Sequence, residues 1–523
     1  MSDKRKYITN YLWSGAEFVA YFLSIFIVTP KITGAVSIEV YGTFAAVLSF
    51  TMFLSYSDFG FLSAAYKYGC DEFLRGDKKK EIEILSSASF VQTIAFFVFA
   101  IIMFVFAFHP ALIIKGLNEE TEAIARNLFV LLALFSFNNI PRGIISFIAQ
   151  FRIETYRVKA WQSLVSLINI GLVFIIFTTN ESKNIVYYYF FTQLISLLAT
   201  IGMGLHFFRK WGYSLKAFMT GFRFSRPILN LLWPFAKASF FSTLMYILYF
   251  ELDKIYIARF ISAEQLAFYV IGATLMIALR AFGSIMSSQY FPKYSYYYIN
   301  NDDRGMRNFY LSHLSVVAPF VFIPVIVCLM LMPQFIMAWV GEKFIPSILV
   351  AQILVGAFFF APLIDASSFI ITAKVKLKAM YVSAIVAAVI FWFIVLLFTD
   401  RYGIISVASA KLIASLLSGL FYIVLAHTLI KVDFVGYAKK ILLPIGVTSI
   451  VVAAFCMPFV NMTVTKSKAD LFIIISLEGL ICFLSFLFYI CISKQFRLAI
   501  GEDNFVYAKI KEKISLQAKA LFG

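Results

Sequence analysis

The sequence predicts an all-α polytopic membrane protein of about fourteen transmembrane helices, arranged as two six-helix lobes plus two C-terminal helices. Three observations carry this. The chain is 61% hydrophobic and 14% charged over 523 residues, where a soluble domain is about half apolar and about a quarter charged. Its apolar residues fall in runs of about 20, the length a helix needs to cross hydrocarbon. Its Lys and Arg cluster in alternate connections between those runs, the pattern that orients membrane proteins.

In chain order, the runs predict spans over 8–29, 41–66, 84–108, 123–150, 161–177 and 185–208. Eight more follow, over 229–250, 266–290, 309–332, 344–372, 380–398, 403–429, 441–460 and 470–492. The first run follows Lys4, Arg5 and Lys6 and has no small-residue cleavage site after it, so it reads as a span and not a cleaved signal. One set of alternate connections, with both termini, holds 31 Lys and Arg, and the other set holds 9. That ratio puts the richer set, and both termini, in the cytoplasm. It also argues against a net charge of +17 serving nucleic acid.

The basic segment after 208 divides the chain. The expected organisation is an N-terminal lobe (1–208), a cytoplasmic linker loop (209–228), a C-terminal lobe (229–430), two added spans (431–493) and a cytoplasmic tail (494–523). A weak internal similarity, Tyr41 and Tyr269 each opening a span after a short connection that begins with Lys31 or Arg259, fits two repeated halves. In the tail, Phe505, Ile510, Ile514 and Leu521 lie among lysines, and either a basic amphipathic surface helix or a solvated helix fits.

No connection is long enough for a separate domain, so function is expected inside the helical bundle. Ionisable groups in hydrocarbon cost roughly 3 kcal/mol each or more and normally face a protein interior or a water path. The cations inside spans are Arg142, Lys237, Arg280 and Lys411, with Arg126 near enough to an end to snorkel. The anions are Glu17, Asp58, Asp365 and Glu478, with Glu251 and Asp253 at the end of the seventh span.

Arg142 stands out because Asn138, Asn139, Pro141 and Gly143 surround it, and Pro141 is expected to kink the fourth span. Arg280 lies mid-span before Gly283, Ser284, Ser287 and Ser288. These residues are candidates for a substrate path: Arg142, Arg280, Lys237, Lys411, Asn138 and Asn139. Asp58, Asp365 and Glu17 are candidates for ion coupling or as counter-ions. With four cations against four anions, structural pairing competes with a cationic path, and geometry has to decide.

Catalytic readings find no support in the motifs. There is no G-x-S-x-G, HExxH, Walker sequence or nucleotide-binding glycine loop. The five cysteines (Cys70, Cys328, Cys456, Cys482, Cys491) show no CxxC spacing and the four histidines no metal-ligand spacing, so no metal or cofactor is expected. Without an ATP site, uphill transport would draw on an ion gradient or the membrane potential. The sequons Asn180-Glu181-Ser182 and Asn461-Met462-Thr463 sit on very short connections and carry little weight.

Short motifs in order along most of the chain resemble a known family. They are Tyr41-Gly42, Asp58-Phe59-Gly60, Lys67-Tyr68, Gly76-Asp77, Asp253-Lys254-Ile255, Tyr269 and Trp339-Val340-Gly341. The chain resembles Wzx-type flippases of O-antigen and related repeat units, in the multidrug/oligosaccharidyl-lipid/polysaccharide exporter superfamily. That resemblance implies two six-helix lobes in a V, in a bacterial cytoplasmic (inner) membrane. It implies alternating access that turns over an undecaprenyl-diphosphate-linked oligosaccharide, with membrane lipids and other polysaccharide assembly proteins as further partners. Arg142 and Arg280 are the positions that would meet the diphosphate. A lipid II flippase or a multidrug exporter of the same superfamily is the alternative. A membrane polymerase ranks lower, because it would need a large outer loop.

Overall fold

A lipid solvent offers no hydrogen-bond partners, so a chain that crosses it satisfies its backbone within each segment. The computed structural model follows that rule and describes residues 3–56, 60–288 and 290–501 as helices joined by short turns, with no strand among them. Eleven of these helices are long and apolar enough to cross a membrane, and a bent pair makes a twelfth. The expected fourteen is two more than this. The two remaining expected spans fall on the short apolar stretch Ile38–Leu54 and on a 25-residue helix, Arg226–Phe250.

The chain divides into two compact units, Met1–Val270 and Ile271–Gly523. The seventh span therefore clusters with the first six, and the basic segment at 209–228 lies inside the first unit. In that unit the helices are α1 (Asp3–Ala35), α2 (Ile38–Ser49), α3 (Thr51–Tyr56), α4 (Phe61–Arg75), α5 (Lys78–Phe108), α6 (Glu119–Ser136) and α7 (Asn139–Phe151). Then come α8 (Thr155–Ile176), α9 (Asn184–Trp211), α10 (Leu215–Gly221), α11 (Arg226–Phe250), α12 (Leu252–Tyr256) and the start of α13 (Ala263–Ser288). Part of the expected linker loop is thus helical, as α10.

Local chemistry sets the ends. Asn118 and Thr121 form a capping box at the start of α6. Gly76 closes α4 at φ 79°, a left-handed turn that leaves Asp77 to accept from the Lys80 amide and start α5. α1 packs along α8, α5 lies between α4 and α6, and α9 lies against α6 and α8. The core carries fully buried Ala64, Ala65, Ile84, Leu85, Ala88, Ile148 and Leu232. Large apolar side chains also line the outside: Phe97 is 62% and Ile101 54% exposed, which suits lipid.

The second unit continues with α14 (Phe291–Ile299), α15 (Asp303–Val317), α16 (Pro319–Trp339), α17 (Ser347–Gly356), α18 (Ala361–Ala373), α19 (Leu377–Tyr402) and α20 (Ile404–Ile430). It ends with α21 (Phe434–Tyr437), α22 (Leu443–Cys456), α23 (Lys468–Ile492) and α24 (Lys494–Ile500). The expected span over 344–372 is broken, with α17 and α18 separated by a turn at 357–360. Here α16 packs against α22 and α23, and α20 against α18 and α19. Tyr310, Leu314, Phe322, Ile370 and Tyr489 are buried at the centre. All five cysteines are free thiols. The amphipathic tail expected at 505–521 lies outside the described residues.

Helices in lipid gain little from hiding apolar surface, so close van der Waals contact at small residues carries much of their packing. Gly42 on α2 is the tightest such contact: a Cβ there would run into the backbone carbonyl of Ala263 at the start of α13. Gly42→Leu is expected to destabilise the protein by about 1–3 kcal/mol, read as a lowered Tm in detergent, while Gly171→Ala, with open space around it, should leave Tm nearly unchanged.

Candidate functional site

The fourth predicted span is the bent pair α6 and α7, turned by 42° between Ser136 and Asn139. The break comes before Pro141, not at it. Pro141 is the third residue of α7, where its missing N–H removes no helical hydrogen bond. Asn139 donates to the Ser136 carbonyl across the break (3.0 Å), and Asn138 donates to Ser196 of α9 (3.2 Å). The two amides therefore hold the break and anchor it to α9, and Pro141 restarts the helix with Arg142 behind it.

Arg142 is exposed and stands nine residues before the end of α7, about 14 Å along the helix from its basic end. Gln162 of α8 faces it. With its amide oriented to satisfy both neighbours, Gln162 accepts from Arg142 Nη2 (3.2 Å) and donates to Glu17 Oε1 of α1 (2.6 Å). Glu17 also pairs with Lys159 of α8 (3.3 Å). Lys159 donates in turn to Ser14 Oγ (2.9 Å). Three helices thus bring Arg142, Gln162, Glu17, Lys159 and Ser14 into one polar row.

Two cations against one carboxylate leave this row a surplus of one positive charge. Arg142 reaches Glu17 through an amide, not by a direct ion pair. The Glu17 and Lys159 side chains are 33% and 30% exposed, neither sealed in protein nor fully open. Glu17, a candidate for ion coupling or as a counter-ion, lies beside Lys159 and reaches Arg142 through Gln162. Asp58, the other expected partner, lies outside the described residues.

Sequence reasoning missed Gln162, Lys159 and Ser14 as members of this group. A signal was present: Asn10, Ser14 and Glu17 recur at four and three residues along an otherwise apolar helix, one polar stripe on one face. Asn10 extends the stripe toward the basic end. It donates to the Ile153 carbonyl (3.1 Å) and accepts from the Tyr156 amide (2.7 Å).

The turn between α7 and α8 is a hub. Glu154 there accepts from Arg157 Nε (2.6 Å) and Trp211 Nε1 (3.3 Å) and pairs with Lys6 (3.4 Å). The Arg152 guanidinium lies 4.6 Å from the Phe73 ring centre and 5.0 Å from that of Tyr213, a cation–π geometry. Burial raises the Glu154 carboxyl, but hydrogen bonds from Arg157 and Trp211 and the charges of Arg157 and Lys6 outweigh it. Its pKa is held below the ordinary value.

In the second unit, Asp365 of α18 is half-buried and lies within electrostatic range of Arg280 of α13. The expected cation and counter-ion are therefore neighbours. Lys411 of α20 is buried at 3% exposure and has an interaction partner. In the first unit, Lys237 of α11 is exposed. Glu478 Oε1 is buried without a hydrogen bond among the described residues. No group of three or more His, Cys, Asp or Glu among the described residues is placed to hold a metal.

Residues 10–297 match the family described as polysaccharide biosynthesis protein. No curated protein matches the chain. Among solved structures, the lipid II flippase MurJ in an inward closed conformation is 16% identical, with a TM-score of 0.70, covering 92% of this chain and 99% of that one. An inward-facing multidrug resistance MATE transporter of the MOP superfamily is 13% identical, with a TM-score of 0.61, covering 81% and 94%. A MOP superfamily transporter from Pyrococcus furiosus, whose binding pocket is described as having reversed polarity, is 14% identical, with a TM-score of 0.55, covering 82% and 96%. At these identities the likeness is one of fold: a polytopic helical fold.

Two measurements probe the site. In a background without native cysteines, Gln162→Cys is expected to react with a charged, membrane-impermeant maleimide, while Leu167→Cys on the same helix stays unmodified. Lack of reaction at 162 would mean a sealed structural brace and not a watered path. The depressed Glu154 carboxyl adds stability that is complete above its unfolded pKa of about 4.3 and is lost as pH falls through the lower folded value. Glu154→Gln should therefore lower Tm at pH 7 and flatten the fall in Tm between about pH 5 and pH 3.

Proposed function

Because the chain belongs to the polysaccharide biosynthesis protein family, we propose that it flips an undecaprenyl-diphosphate-linked oligosaccharide, an O-antigen or similar repeat unit, across a bacterial cytoplasmic membrane. The observation that carries this reading is the polar row on α1, α7 and α8, with two cations against one carboxylate and Arg142 well inside its helix. A guanidinium presents a planar fork of donors that matches phosphate oxygens in paired, charge-assisted hydrogen bonds. An organic-cation exporter would be served by the opposite sign. Arg280 plays the corresponding part in the second unit, with Asp365 beside it, and Lys237 and Lys411 are further cations along the path.

Transport runs by alternating access, and the 31-to-9 distribution of Lys and Arg supports both termini in the cytoplasm. Glu17 and Asp365 each sit against a cation. A proton or sodium ion taken up by either carboxylate would free its cationic neighbour to engage the diphosphate, a direct route from an ion gradient to substrate binding. A lipid II flippase is the second reading, favoured by the 99% coverage of that solved structure. Loss of the protein would then stop cell-wall precursor export and not surface polysaccharide.

Arg142→Ala and Arg280→Ala are each expected to abolish surface polysaccharide while the protein stays in the membrane at normal amount, measured by polysaccharide gels and immunoblotting. Gene deletion should leave lipid-linked repeat units facing the cytoplasm. Normal polysaccharide in both variants would sink the cationic path. Single units that reach the outside but fail to lengthen would identify a polymerase instead.

A further inference from the structure

The first unit holds a second feature that the polar row does not use. A cavity of about 810 Å³ lies against α5 and α11, walled almost wholly by apolar side chains. On α5 its wall is a stripe at helical spacing: Val91, Ala95, Val98, Ile102 and Phe106. The α11 side is Phe240, Leu244 and Ile247, and Phe50 and Phe53 line the cavity as well. This is roughly five times the ~150 Å³ pocket that takes up one benzene ring.

Its length decides what fits. From Val91 to Phe106 the stripe runs about 22 Å along α5, well beyond half of a hydrocarbon core about 30 Å thick. The acyl chains of a phospholipid end at the midplane of the bilayer. A cavity that continues past the midplane suits a longer, single, unbranching path of hydrocarbon.

Its basic end is charged. Phe224 lines the cavity there, and Arg223 and Arg226 beside it in the chain are both exposed, with no ion pair among the described residues. This segment is fixed and not a loose linker. Phe222 packs edge-on against Phe90 of α5 at 5.5 Å, and Gly221 sits close against Ser86. Two arginines that flank the cavity-lining Phe224 in the chain put positive charge near one end of an apolar cavity, a combination that complements an anionic head on a long hydrocarbon tail.

We infer that the α5–α11 cavity is a binding site for the long polyprenyl chain of the substrate's lipid carrier, whose diphosphate meets Arg223 and Arg226 on entry before it passes to the polar row at Arg142. The inference rests on the flippase reading and deepens it: the lipid carrier has its own site, apart from the polar row at Arg142.

The test uses the full-length protein in nanodiscs of phosphatidylethanolamine and phosphatidylglycerol, with a polyprenyl diphosphate carrying a diazirine far along its chain. Cross-links mapped by mass spectrometry are expected on 91–106 and 240–252. Val98→Trp and, separately, Ile102→Trp fill the cavity and should cut this labelling roughly tenfold. The double variant Arg223→Gln, Arg226→Gln should also lower it. A diazirine phosphatidylglycerol that labels the same segments equally would overturn the inference, as would polyprenyl labelling that neither Trp variant changes. Absence of labelling here in a protein that still restores surface polysaccharide would also remove the site and leave the flippase reading intact. Labelling here without any transport in cells would sink the flippase reading and leave the isoprenoid site standing.

Discussion

A guanidinium at the depth of Arg142 has to be answered by the protein, because the bilayer core will not solvate it. Much of the first unit is arranged around that requirement. α1 contributes Glu17 and α8 contributes Gln162 and Lys159, so the two helices must lie side by side at matching heights. The same helices are tied again lower down, where Asn10 meets the turn at Ile153 and Lys6 meets Glu154. One face of α1 thus carries a ladder of polar contacts along an otherwise apolar interface. In hydrocarbon such contacts set register, since van der Waals packing alone would tolerate sliding.

The row is answered only in part, and that matters for function. A fully neutralised row would serve as a brace. Here two cations share one carboxylate, and the amide of Gln162 separates Arg142 from the anion. The arginine is therefore held in place through an amide and not by a direct ion pair, which is the arrangement that the proposed contact with an anionic head would need. Because an ion pair at low dielectric is worth more than one in water, a modest change at Glu17 reaches Arg142 through a single side chain.

The division between what could and could not be read from the residues follows range in sequence. Span positions were legible, because apolar length is a local property, and the all-helical architecture followed. The candidate residues were legible one by one: Arg142, Glu17, Arg280 and Asp365 all carry charge in apolar runs. Their grouping was partly hidden. Gln162 is uncharged and gave no warning, although it is the link between Arg142 and Glu17. Pro141 misled in a specific way. It marks the first turn of a new helix, and the bend belongs to Phe137 and Asn138 before it. The packing of the basic segment was also hidden, because such a segment reads as a linker even when Phe222 and Gly221 pack it against α5.

A lipid-linked saccharide, the substrate proposed for this chain, poses two solvent problems at once, and the first unit offers different materials for each. The charged head needs fixed donors, which the row on α1, α7 and α8 would supply. The tail needs continuous apolar contact while the head moves, which the wall on α5 and α11 would supply. Keeping the two on separate helices has a physical advantage. An apolar wall beside Arg142 would raise the cost of the charge, and a charge within the cavity would repel hydrocarbon. Separation lets each surface keep the composition its part of the substrate requires.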